Sequence, residues 1–234
     1  MSEQLQDNRR KTVSEIKFKP RAVFDNKLWM ALLLSLIFLS SCSSQRVIVD
    51  KAPEVVNKHI YDKDNRPKSE IKLHPSVEAN THWEFSFIPE IQGTSTGMER
   101  RGNEFVASMK VDRVKIDLAL PIDVWLPESA SEKVIAHEEG HISICKHFYK
   151  DADYAARELA NELLGREFSG HGQNENECLR NATDAISTAL SEAYQKKIIQ
   201  PANRVSASYD KLTDHGQNSL PEKTAIELSI KAAR

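Results

Sequence analysis

The chain has 234 residues, a formal net charge of −2 and a hydrophobic fraction of 40%. This length suits one domain with a sizeable hydrophobic core and does not require two. Because the basic residues form no patch and are not interleaved with aromatic residues, nucleic acid is excluded as an expected partner.

An apolar run of twelve residues, 28–39, lies near the N-terminus and follows several basic residues. It is too short for a transmembrane helix, which needs about 20 residues, but it suits the core of a signal peptide. The run ends in Leu39-Ser40-Ser41-Cys42, which resembles a bacterial lipobox. We therefore predict that residues 1–41 are a lipoprotein signal with an N-terminal extension and that Cys42 is lipidated.

This lipobox predicts a location in the cell envelope. Because no Asp follows Cys42, we expect a lipid anchor in the outer membrane, facing the periplasm. The alternatives are an ordinary signal peptide with an unrelated cysteine and an N-terminal anchor helix. Residues 42–72 are polar and mixed in charge, and we predict that they form a tether ahead of a domain at 73–234.

Two β regions open this domain. Trp83, Phe85 and Phe87 alternate with polar residues, which predicts a strand that Pro89 should end. A second β region covers residues 104–120, where aliphatic residues recur at every second position from 114 onward. Loops are predicted at residues 93–97, at 122–126 between two prolines, and at 168–174.

Helical periodicity begins near residue 129, with Ser131 or Ser129 as the N-cap. This helix runs through residue 141 and on toward Leu164, with a break expected near residues 150–151. A second long helix is predicted at 175–199, and Pro201 should kink or end it.

The first of these helices carries His137-Glu138-Glu139-Gly140-His141, which reads H-E-x-x-H. Two histidines four residues apart lie on one helix face, so their imidazoles can bind one Zn²⁺. The intervening Glu138 can then act as general base toward a metal-activated water. Gly140 is small, which we expect to allow close approach of a strand or a substrate.

A catalytic zinc usually takes three protein ligands and leaves one position open. The candidates for the third ligand downstream of the motif are His147, His171, His215, Glu175, Glu177 and Asp210. His147 is six residues after His141 and falls on the wrong face of the same helix. The spacing alone does not choose among the others.

Cys145 and Cys178 fall in the two predicted helices. In an oxidising envelope they can pair, and the bridge would close a loop of about 34 residues and contribute roughly 3–4 kcal/mol. The alternative, Cys145 as a zinc ligand, is disfavoured because three successive ligands along one helix cannot converge on one ion.

A sheet followed by an H-E-x-x-H helix is the layout of zincin-like α+β folds. We predict a small antiparallel or mixed sheet packed on the motif helix and on the second long helix. The edge strand ahead of the motif helix would hold extended substrate by backbone pairing, and we expect residues 114–120 to supply it.

These pieces together resemble a family of bacterial secreted proteins that are predicted to be zinc-dependent proteases. The resemblance spans about residues 80–218 and is carried by Leu120-Pro121, by His137-Glu138-x-x-His141, and by Tyr209-Asp210-x-x-Thr213-x-His215-Gly216. It implies a zinc cofactor, a peptide or protein substrate, His215 as the third ligand and Tyr209 as a hydrogen-bond donor to the oxyanion.

The sequence therefore predicts a zinc-dependent peptidase attached to the membrane through Cys42. One alternative is an envelope lipoprotein, with a structural zinc or none, that acts as a binding or scaffold module. Another is a zinc amidase acting on cell-wall peptides, which differs only in its substrate.

Overall fold

The computed structural model describes residues 46–62 and 79–233. The predicted signal segment, Cys42 and the later part of the predicted tether lie outside these ranges. Within the described ranges, no helix is both long and apolar enough to cross a membrane.

The protein belongs to the α+β class, as the sequence predicts. The strands are β1 (Val47–Lys51), β2 (Val55–Tyr61), β3 (Asn80–Trp83), β4 (Ser86–Arg101), β5 (Glu104–Ala119), β6 (Pro121–Pro127) and β7 (Glu167–Gly172). The helices are α1 (Glu132–Lys150), α2 (Ala152–Asn161), α3 (Glu175–Tyr194), α4 (Gln200–Thr213) and α5 (Glu222–Ala232). A π-helical turn at Gln195–Ile199 connects α3 to α4.

The strands form two mixed sheets, one centred on β5 and the other on β6, and these two strands are consecutive in the chain. β5 pairs antiparallel with β4 on one side; on the other, β1 (parallel) and β7 (antiparallel) pair with different parts of it. β6 lies between β2, which is parallel to it, and β3, which is antiparallel. Leu120, buried at 1% exposure, alone separates β5 from β6, so the second sheet continues directly from the first.

Val47–Lys51 and Val55–Tyr61 are strands of the two sheets, so the prediction that they are part of a tether is wrong. Val47 and Val49 are buried and pair with Val114 and Ile116 of β5. Residues 47–49 and 55–56 are β-branched and favour strands, whereas the charged and polar residues around them give the mixed composition that predicted a tether.

The strand at residues 114–120 is not a sheet edge, so the prediction that it pairs with substrate is wrong. Its residues in β5 have β4 on one side and β1 on the other. In the second sheet β3 is an edge: among the described residues β6 is its one strand partner, and it contacts α1.

All three predicted loops fall wholly or largely in strands. Pro89 and residues 93–97 lie inside β4, where two bulges absorb the irregularity. Pro89 is tolerated there because β4 is at the edge of its sheet. Residues 122–126 form most of β6, whose alternate side chains at 122, 124 and 126 are buried.

The third of these segments, around Gly170, is largely strand β7. A Cβ at Gly170 would lie 2.0 Å from the Cys178 carbonyl oxygen, so glycine is needed here for α3 to pack against the strand. The glycines that predicted a loop therefore serve backbone packing.

The helix predictions hold more closely. Ser131 caps α1 by accepting a hydrogen bond from the Val134 backbone N–H at 3.3 Å, and α1 ends at Lys150, where the break is expected. Pro201 does not end the second helical segment. It lies in the first turn of α4, directly after the π-helical turn, where its missing N–H is tolerated.

The two cysteines are free and fully buried, so the predicted bridge is not formed. The Cys145 side chain lies on the side of α1 that faces the main core. Cys178 donates a hydrogen bond from Sγ to the Phe105 carbonyl oxygen. Each thiol is enclosed by its own surroundings rather than facing the other.

We expect both thiols to be protected in the folded protein, and burial raises the pKa of the Cys145 thiol to about 12. Iodoacetamide at pH 8 should label neither residue before unfolding and both after unfolding without a reductant, as read from peptide masses. Recovery of a Cys145–Cys178 disulfide-linked peptide pair would contradict the structure.

Candidate metal centre

Helix α1 presents His137, Glu138 and His141 toward α4 and β3. All three side chains are buried, with exposures of 8%, 5% and 7%. The four-residue spacing brings the two Nε2 atoms to 3.2 Å from each other. The helix thus converts the sequence motif into a pair of converging nitrogen donors.

Asp210 of α4 completes this group. Its Oδ1 atom lies 3.2 Å from His137 Nε2 and 2.9 Å from His141 Nε2. Burial raises the pKa of the Asp210 carboxyl, but hydrogen bonds to His137 and His141 lower it by more, so the pKa lies well below its usual value. Asp210 is therefore an anionic oxygen donor at neutral pH.

The opposite side of each imidazole meets a hydroxyl group. His141 Nδ1 lies 2.9 Å from Ser206 Oγ, and His137 Nδ1 lies 3.3 Å from Thr213 Oγ1. Thr213 donates its own proton to the Tyr209 carbonyl oxygen at 2.8 Å, so its lone pair is free to accept from His137. With its proton on Nδ1 and donated to Thr213, His137 would have its Nε2 lone pair available to a metal ion.

Three electron-rich atoms therefore converge within about 3 Å of one another, and these three residues form a candidate metal-binding group. Either shared protons or a metal cation must lie between them. A tetrahedral zinc with ligand distances of about 2.0–2.1 Å separates its ligand atoms by about 3.3 Å. The observed separations of 2.9–3.2 Å are close to this value, so the residues present fit a zinc ion.

Glu138 lies beside the metal-binding group, and a residue of the second sheet holds its side chain by a hydrogen bond. Thr81 of β3 donates from Oγ1 to Glu138 Oε2 at 2.6 Å. A carboxylate one residue after the first histidine ligand is thus fixed on the β3 side of the centre.

An open cleft of about 560 Å³ leads to these residues. Its walls are β3, α1, α4 and the segment that follows α4. Trp83 forms one wall, with its ring stacked on His141 at 6.1 Å between centroids and its Nε1 donating to Asn203 Oδ1 at 3.3 Å.

His215, predicted as the third ligand, is not part of the metal-binding group. Its side chain is 76% exposed, and its Nδ1 lies 3.8 Å from Asp210 Oδ1. Helix α4 ends in a left-handed turn in which Asp214 and His215 both have φ of 50°. This turn leaves His215 at the mouth of the cleft, while Asp210 reaches the histidines directly from the helix.

Tyr209 does not occupy the position expected of an oxyanion donor. It is 1% exposed, and its ring stacks on His137 with centroids 5.0 Å apart. Its hydroxyl lies against the backbone of α1 at Gly140, and the residue is absent from the cleft walls. Its position is that of a packing residue behind the histidines.

Gly140 is thus required by Tyr209, and the expectation that it admits a strand or a substrate is wrong. A Cβ at Gly140 would lie 2.2 Å from the Tyr209 hydroxyl oxygen and 2.4 Å from Cζ. Glycine is therefore what allows α1 and α4 to approach closely enough for Asp210 to meet the two histidines.

Gly140→Ala should therefore destabilise the protein by about 1–3 kcal/mol through overpacking, although alanine is the better helix former. Chemical denaturation of the two proteins would measure this difference. Gly97→Ala is the matched control, because a Cβ there meets nothing within 4 Å. A Gly140→Ala protein as stable as the native one would show that α1 and α4 do not pack this closely.

The remaining ligand candidates lie elsewhere. His147 is exposed in the last turn of α1, and Glu175 and Glu177 are in the first turn of α3. His171 is on β7, where its Nδ1 lies 4.0 Å from Glu104. Cys145 is enclosed in the core.

Sequence reasoning named Asp210 only as one candidate among several, and it missed Ser206 and Thr81. The sequence did contain a signal for Asp210 and Ser206. Together with Thr213 they recur at four- and three-residue spacing, which puts the three residues on one helix face. Thr81 carried no comparable signal, because its role depends on how β3 packs against α1.

Comparison with protein families, with curated proteins and with solved structures finds no match for this chain.

Proposed function

We propose that this protein is a zinc-dependent peptidase with a zincin-like fold. The observation that carries the proposal is the convergence of His137, His141 and Asp210, with Glu138 beside them at the base of an open cleft. Two nitrogen donors and one carboxylate oxygen are a usual ligand set for catalytic zinc, which keeps a fourth position for water or substrate.

The flanking hydroxyls support a metal role for the two histidines. Ser206 and Thr213 orient the imidazoles from behind, as hydrogen-bond partners of metal-ligating histidines do. A purely structural ion pair between Asp210 and two histidines would need neither this orientation nor an adjoining cleft.

Held by His137, His141 and Asp210, a zinc ion would supply Lewis acidity toward water and a peptide carbonyl. Glu138 accepts a proton from the attacking water and passes it to the leaving amine. Because Glu138 is buried and bound to Thr81, its carboxylate is placed before substrate arrives. The negative charge of Asp210 would balance part of the charge of a bound cation.

The cleft geometry favours an extended peptide as substrate. Ala79 and Asn80 line the cleft, and among the described residues β3 has one strand partner, β6. An extended chain placed along the other side of β3 would form backbone hydrogen bonds with this strand. We place substrate pairing on β3, not on residues 114–120.

The test is hydrolysis of a mixed peptide library by the purified full-length protein, followed by mass spectrometry. Cleavage should disappear after treatment with a zinc chelator and return when about one equivalent of Zn²⁺ is added. Cleavage that survives chelation would contradict the metal mechanism. Tight zinc binding without cleavage of any peptide would favour the envelope scaffold instead.

From the sequence alone, we also propose that the protein is held in the cell envelope by a lipid on Cys42. The mass of the N-terminal peptide from protein purified out of membranes tests this directly. A diacylglycerol-modified Cys42 as the first residue is the expected result, and an unmodified N-terminus upstream of it would contradict the proposal.

A further inference from the structure

A short hydrogen bond joins Thr81 to Glu138, and both residues are buried. The donor Oγ1 lies 2.6 Å from Glu138 Oε2, and Thr81 and Glu138 are only 7% and 5% exposed. Thr81 belongs to β3 and Glu138 to α1, so the bond joins the sheet edge to the motif helix.

The single hydroxyl proton of Thr81 is committed to the carboxylate. The other acceptor within reach, the Glu138 backbone carbonyl oxygen, is 3.5 Å away, which is too long to compete. In the described part of the chain, Thr81 is the one side chain that donates to the Glu138 carboxylate. Oε2 is therefore anchored, and Oε1 remains free to accept a proton.

We propose that Thr81 is a positioning residue that holds the Glu138 carboxylate ready for proton transfer. This inference rests on the proposed function. A glutamate side chain has three rotatable bonds, and a free carboxylate would sample positions away from the attacking water. With Oε2 anchored, one water O–H bond breaks and the proton forms an O–H bond with Oε1, while the water oxygen attacks the peptide carbonyl carbon.

The same strand would then place both the substrate and the base. Asn80 and Trp83, on either side of Thr81 in β3, line the cleft where an extended peptide would pair. Backbone pairing to β3 and the side chain of Thr81 fix the scissile peptide and Glu138 relative to one short element. Misplacement of reacting groups by as little as about 1 Å can cost about 100-fold in rate.

Thr81→Val tests this role, because valine keeps the shape and the β preference but donates no hydrogen bond. We expect kcat for peptide hydrolysis to fall about 10- to 100-fold with little change in KM, and Thr81→Ser to restore most of it. Thr94→Val is the matched control: Thr94 also donates from a strand to a carboxylate, that of Asp112, but on exposed β4. It should keep native kcat.

A second measurement does not depend on activity. Thr81→Val should retain native zinc content and should lower the unfolding midpoint by about 3–10 °C. The same change made in a Glu138→Ala protein should lower it much less, because the hydrogen bond is already absent.

Unchanged kcat in Thr81→Val, or failure of Thr81→Ser to recover it, would overturn the positioning role. So would an equal loss of stability in the two backgrounds. These outcomes are separate from failure of the proposed function, in which the native protein itself shows no zinc-dependent turnover.

Discussion

Replacing Glu138 by glutamine should lower kcat for peptide hydrolysis by about 10²- to 10⁴-fold, the range lost when a general base is removed. Glutamine cannot accept the proton of the attacking water. Its amide oxygen can still accept the Thr81 hydrogen bond, so the fold should survive. Zinc content should remain at about one ion per chain. Steady-state kinetics and elemental analysis of the same preparation measure both quantities.

The matched control is the same substitution at the next residue, Glu139→Gln. The Glu139 side chain is 43% exposed, pairs with Lys58 of β2 and does not line the cleft, so Glu139→Gln should keep near-native turnover. Native turnover in Glu138→Gln would refute the proposed base. Loss of zinc from this variant would instead make Glu138 part of the metal site.

Replacing Asp210 by asparagine should weaken zinc binding by at least about 100-fold, because a direct ligand loses its charge where even supporting residues contribute 10- to 100-fold. His215→Ala should bind zinc with close to native affinity, since His215 is exposed and lies outside the metal-binding group. Competition with a chromogenic zinc chelator gives both dissociation constants on one scale.

Asp214→Asn provides the control for this pair. Asp214 is exposed and has φ of 50°, a conformation that asparagine tolerates, so the turn should persist without a change in zinc affinity. If His215→Ala lost zinc as completely as His141→Ala, His215 would be a ligand, as the family resemblance implies. In that case the segment after α4 would have to move toward the histidines when the metal binds.

Features that depend on local spacing can be predicted from the amino-acid sequence. His137 and His141 lie on one face of α1 because a helix has 3.6 residues per turn. Ser131 caps the same helix through a contact with a residue three positions away. The alternation in β5 is likewise a local two-residue period. Periodicity of this kind is readable without knowing what packs against it.

Tertiary structure decided everything that depends on which elements meet. The choice of Asp210 over His215 follows from the close packing of α4 on α1, which Gly140 permits beneath Tyr209. β5 has strand partners on both sides, whereas β3 is at the edge of its sheet and lines the cleft. Glycines and prolines predicted loops where packing and edge positions in fact accommodate strands. Contacts between distant segments leave no period in the sequence, so the candidate metal-binding group and the Thr81–Glu138 hydrogen bond become visible only when the chain is folded.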